Sequence, residues 1–152
     1  MRRLLAALLL VPAFAACSLL PLPTAGPGGE VARVAAEQRS FWRDQGFASY
    51  TFSVSRPCFC PPEWSGPFEV TVVDGATTVV TYQDVPAPAA NIEQIPKTIE
   101  AVFDLLIANA ATTVKVTYDP IFGFPADFSV DPIVNAVDDE FGITITNFAP
   151  TS

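Results

Sequence analysis

Phe68-Glu69-Val70-Thr71-Val72-Val73-Asp74-Gly75-Ala76-Thr77-Thr78-Val79-Val80-Thr81-Tyr82 is the stretch whose reading decides the fold. Phe68, Val70 and Val72 alternate with Glu69 and Thr71, the period-two pattern of a strand with one buried face. Asp74-Gly75 is a strong short hairpin signal. Thr77 to Tyr82, rich in Thr and Val, is then the return strand.

The same alternation recurs on both sides. Upstream, Tyr50, Phe52 and Val54 alternate with Thr51, Ser53 and Ser55. Downstream, Val114, Val116 and Tyr118 alternate, then Ala126, Phe128 and Val130, then Phe141, Ile143 and Ile145, with Phe148 beyond. Asp119-Pro120, Asp131-Pro132 and Asp138-Asp139-Glu140 supply the turns between them. Two segments change period to that of a helix. From Glu30 to Gln45, Val31, Val34, Ala35, Phe41 and Trp42 share a face that Gln38 interrupts, and Gly46 ends the run. After Pro96, placed as a first helical residue, Ile99, Val102, Phe103, Leu106 and Ala110 form one apolar stripe, with Asn109 as a left-handed cap.

The predicted order is α-β-β-β-α-β-β-β. Short turns imply antiparallel pairing with one wet face, and two amphipathic helices cover the dry one. The expected fold is therefore a two-layer α+β domain with an antiparallel sheet of about five to six strands. Each half repeats helix then three strands, which fits an internal duplication or simply two similar hairpin pairs.

The N-terminus reads as an address. Met1-Arg2-Arg3 is a short positive region, and Leu4 to Ala16 is an apolar run too short to span a hydrocarbon core, which needs about 20 residues. The run closes on Phe14-Ala15-Ala16-Cys17, which resembles a bacterial lipobox with Phe14 where Leu is typical. The competing reading is ordinary cleavage after Ala13-Phe14-Ala15. Lipidation at Cys17 leaves Cys58 and Cys60 as a pair; ordinary cleavage leaves an odd thiol in an exported chain. The expected organisation is a signal peptide over 1–16, a lipidated Cys17 with a Pro- and Gly-rich flexible tether over 17–29, and one domain over 30–152. Loss of Arg2 and Arg3 makes the mature chain two units more negative than the −8 of the whole sequence. An acidic body is repelled by anionic lipid, so the domain is expected to stand off the membrane that its anchor enters. Ser18 after the Cys resembles the outer-membrane pattern of Gram-negative lipoproteins.

Composition removes several function classes. The chain has no His, so the usual general base, triad partner and commonest zinc ligand are missing. Its acidity argues against nucleic acid as a partner. No Gly-x-Ser-x-Gly elbow, P-loop or dinucleotide fingerprint is present, and no cofactor is implied. A hydrolase built on paired carboxylates ranks last, because the acids scatter over turns.

Cys58-Phe59-Cys60 is the most unusual element. In an extended strand their Cα atoms would lie about 6.6 Å apart with parallel side chains, so a disulfide needs a bent backbone. Pro57, Pro61 and Pro62 argue against a strand here. A structural Cys58–Cys60 disulfide is the leading expectation outside the cytosol. A reactive redox pair or a soft-metal site such as Cu(I) are the rivals, though no Lys, His or Met stands beside the pair. Phe59 and Trp64 on this Pro-braced loop are candidate partner-binding anchors; the plainer expectation is that both fold back onto the core edge. Asp131, Asp138, Asp139 and Glu140 form an acidic cluster without EF-hand spacing, read as turn residues rather than a calcium site.

Trp42, Tyr50-Thr51-Phe52, Cys58-Phe59-Cys60, Val70-Thr71-Val72 before Asp74-Gly75, Phe103-Asp104, Val116-Thr117-Tyr118-Asp119, Gly123-Phe124-Pro125, Val130-Asp131 and Asp138-Asp139-Glu140 carry a resemblance in their order. Together they look like an uncharacterised family of bacterial envelope lipoproteins whose domain has no assigned function. The likeness covers Phe41 to Phe148, with Phe124 where Tyr is expected. It implies the envelope address and the Cys-x-Cys feature, and no activity. The functional expectation is a non-enzymatic, lipid-anchored envelope protein that binds an envelope protein or other envelope component. The alternative is a thiol-redox or soft-metal protein using Cys58 and Cys60.

Overall fold

The structure is a computed structural model that describes residues 27–133, 136 and 139–151. Its chain order is α1 (Pro27–Asp44), β1 (Tyr50–Ser55), α2 (Pro62–Ser65), β2 (Phe68–Val73), β3 (Ala76–Tyr82), β4 (Val85–Pro86), α3 (Ala89–Ile92), α4 (Ile99–Ala108), β5 (Thr113–Tyr118), β6 (Pro125–Asp131) and β7 (Phe141–Pro150). The α+β class and the antiparallel sheet match the sequence reading. The count differs: among the described residues there are seven strands, ordered β4-β3-β2-β1-β7-β6-β5, and four helices. The additions are the two-residue β4 and the one-turn α2 and α3, all inside segments expected to be loops. Elements this short carry no periodicity to read.

The hairpin that decides the fold is present. Val73 pairs with Ala76 across Asp74 (φ 51°) and Gly75 (φ 77°), the two left-handed residues of a type I′ turn. The centre of the sheet is a long-range pairing of β1 with β7 that no local pattern announces. The halves do not repeat in space. β1 and β5, the first strands of each half, run in opposite directions, and β1 neighbours the last strand of the other half.

The alternating residues Phe52, Val54, Phe68, Val70, Val72, Phe128, Val130, Ile143 and Ile145 are buried against the helices. Ile99, Val102, Phe103 and Leu106 bury the stripe of α4 against them. Trp42 from α1 meets Tyr50, Phe124 and Phe148 edge-on, with ring centroids 5.6, 6.0 and 5.4 Å away. Arg39 and Arg43 clamp the helices together. Arg39 Nε donates to Glu100 at 2.7 Å, and Arg43 donates twice to the same carboxylate at 3.0 and 2.8 Å.

Four local expectations are corrected. α4 begins at Ile99 rather than Pro96, because the Thr98 hydroxyl caps it by accepting the Ala101 N–H at 3.0 Å. Asn109 has φ −101° and is no left-handed cap; its amide donates to Leu105 O at 2.8 Å instead. Phe41 is half exposed, lying over Gly123, where a Cβ would come within 2.5 Å of its ring. α1 also starts before Glu30. A Cβ on Gly28 would lie 2.5 Å from Ala110 O, so glycine lets the helix start press directly on the α4–β5 turn.

Candidate functional site

β1, β5, β6 and β7 bring one end of the sheet together. Ser55 at the end of β1 pairs with Thr144, and Val130 pairs with Phe141 at the start of β7. Thr113 at the start of β5 pairs with Asp131 at the end of β6. The Cys58–Cys60 loop leaves β1 at this end and the acidic β6–β7 turn enters it. Pro57 rests beside Gly142, with its ring atoms 3.8 and 4.0 Å from a Cβ built there. Arg56, Cys58, Phe59 and Glu140 line one open cleft between loop and turn.

Cys58 and Cys60 are paired, with Cα atoms 5.3 Å apart, inside the range a disulfide accepts and shorter than strand spacing. The segment is bent as the bond requires: no strand runs through residues 56–61. The bend is fixed from outside the pair as well. Arg56 N–H donates to Ser65 O at 2.9 Å, closing the loop base. The Arg56 guanidinium donates to Gln94. The buried Asn91 side chain donates to Glu63 O at 2.7 Å, tying α3 to α2. Arg56, Gln94 and Asn91 as supports were missed from sequence; their partners are distant in the chain, so no local signal marks them.

Phe59 does not fold back onto the core edge: its side chain is fully exposed at the loop tip. Trp64 is 40% exposed in α2, a helix that buries no residue. The expectation that both would pack inward is corrected. Pro57, Pro61 and the Cys pair leave the ring no slack to turn round and reach the core.

Asp131, Asp139 and Glu140 place carboxylate oxygens within 4.8 Å of one another. That spacing would suit a hard cation held through oxygen, although acidic turn clusters are ordinary without one. One oxygen of Asp131 and both of Asp139 are shielded and have no hydrogen-bond partner. Asp138 and Cys17 lie outside the described residues. On the open sheet face, buried Ser53 donates to Glu69 at 2.7 Å and accepts from the Asn147 amide at 3.0 Å, which fixes a bulge in β7. The three side chains satisfy one another at the polar centre of that face.

Fold and loop together define a small antiparallel α+β domain that presents a closed, Pro-braced aromatic tip. The chain belongs to the family of unknown function DUF6174, whose profile matches residues 34–150. No curated protein and no solved structure matches it. Among the described residues, no helix is long and apolar enough to cross a membrane.

Proposed function

We propose that this chain is a lipid-anchored protein of the bacterial cell envelope, acylated at Cys17, and a non-enzymatic module that meets an envelope component through its Cys58–Cys60 loop. The observation that carries the reading is Phe59, held fully exposed between two paired cysteines. A large aromatic fixed outward by covalent closure loses little conformational entropy on contact, which is how binding anchors are built. The lipobox-like Phe14-Ala15-Ala16-Cys17 supplies the address. The test is palmitate labelling of the chain in a bacterial host, beside Cys17→Ser. Label on the wild type alone, with the wild type in the membrane fraction, is the expected result. An unlabelled wild type would refute the anchor.

A second reading follows from the exposure of Cys58, which leaves the bond open to reductants. In it, the pair cycles as a thiol-redox centre or takes a soft metal when reduced. Arg56 and Glu140 line the same cleft and act on a thiolate in opposite senses, so the charges there do not single this reading out. A redox titration decides: a bond that resists the glutathione range ends this reading.

A further inference from the structure

The start of α1 and the Phe59 tip lie at the same end of the domain. Gly28 presses on Ala110 and Ala111, just before β5 begins. The beginning of β5, the ends of β6 and β1, and the beginning of β7 share that end. The far end of α1 is tied to the opposite edge, where the Gln45 amide donates to Phe122 O at 2.7 Å. The chain therefore enters the domain within a few strand spacings, each about 4.8 Å, of the loop that carries Phe59. Residues 18–26, which separate Cys17 from α1, reach at most about 30 Å even when fully extended.

We infer that the envelope component met by Phe59 is the lipid bilayer that holds the anchor, with the domain docked end-on. This rests on the acylation of Cys17 proposed above. Trp64 in α2, Val85 after the Gln83-Asp84 turn and Ile133 after β6 are exposed apolar side chains that the topology carries to the same end. An anchored domain needs only a weak contact here, because the tether already keeps the tip at high effective concentration near the surface. A pre-closed loop adds little ordering cost to that contact. The same end carries Glu30, Glu63, Asp84, Asp131, Asp139 and Glu140 against Arg33, Arg56 and Lys115, so contact is with neutral headgroups and is opposed by anionic lipid. The sequence reading has the whole acidic body standing off; here the uncharged residues 57–62 enter, and the acids around them stay at the headgroups.

The test uses the chain matured in a bacterial host and reconstituted in phosphatidylcholine vesicles, with and without brominated acyl chains. Two variants carry a reporter at exposed positions, F59W at the tip and I121W at the opposite end. Emission is read against the unsubstituted chain, which has Trp42 and Trp64 in both cases. Trp64 at the docking end gives every chain some quenching, so the expected result is quenching beyond that of the unsubstituted chain, with a blue shift, for F59W and not for I121W. Vesicle flotation with an unquenched F59W overturns the docking while leaving the anchor intact, and hands the tip to a protein partner. Equal added quenching from the two reporters overturns it too, since the domain then has no preferred end. Failure to float removes the anchor and this inference with it.

Discussion

Replacing Cys58 and Cys60 together by serine separates a loop that displays Phe59 from a loop that holds the fold. The closed ring spans only residues 58–60, so the chain-entropy formula gives a loss of about 1.5 kcal/mol. The structure supplies no reason for more. Cys58 and Phe59 are exposed, α2 buries nothing, and the bonds from Arg56 and Asn91 do not involve the sulfurs. A domain of this size should then lose about 6 °C in melting temperature. Phe52→Ala or Phe128→Ala, in the fully buried core, should each cost about 3–5 kcal/mol. Urea unfolding of the three variants beside the wild type measures the contrast. A C58S/C60S chain that fails to fold, or that loses as much as the core variants, would refute the reasoning.

Other expected outcomes are as follows. Gly28→Ala should destabilise by about 1–2 kcal/mol, because the added Cβ meets backbone at 2.5 and 2.8 Å, although alanine is the better helix former; a raised melting temperature would contradict the packing. Asp84→Gly should stabilise by about 0.5 kcal/mol, read as a higher urea midpoint at unchanged slope, since Asp84 holds φ 64° and glycine relieves it at some cost in unfolded-state entropy; a lowered midpoint would count against the turn. Burial pushes the Glu100 carboxyl up, but hydrogen bonds and charge from Arg43 and Arg39 outweigh it and hold the group below its ordinary value. A depressed carboxylate stabilises above its unfolded pKa of about 4.3 and loses that contribution as pH falls through the folded value. Stability should therefore decline on acidification below that point, and less steeply in Glu100→Gln.

Much of the sheet was legible because alternation is a local signal that burial enforces: Phe68-Val70-Val72 and Tyr50-Phe52-Val54 face the core where their period puts them. The Asp74-Gly75 turn was legible for the same reason, since its residue types match the backbone it needs. The second hairpin, around Gln83 and Asp84, was not, because Gln83 adopts φ 51° against its own preference under the pairing of Tyr82 with Val85. The strand order was illegible in principle; β1 meets β7 across most of the chain. At the candidate site the Cys pair could be read from its spacing and prolines. The placing of Glu140 beside it, the tie of Arg56 to Gln94 and the outward Phe59 are tertiary facts with no sequence period behind them.

Intact mass of the chain taken from bacterial membranes tests the central claim most directly. The account predicts a polypeptide beginning at Cys17, heavier by its acyl groups and lighter by the two hydrogens lost in joining Cys58 to Cys60. A chain that still begins at Met1, found in the soluble cytoplasmic fraction with both thiols free, would contradict it.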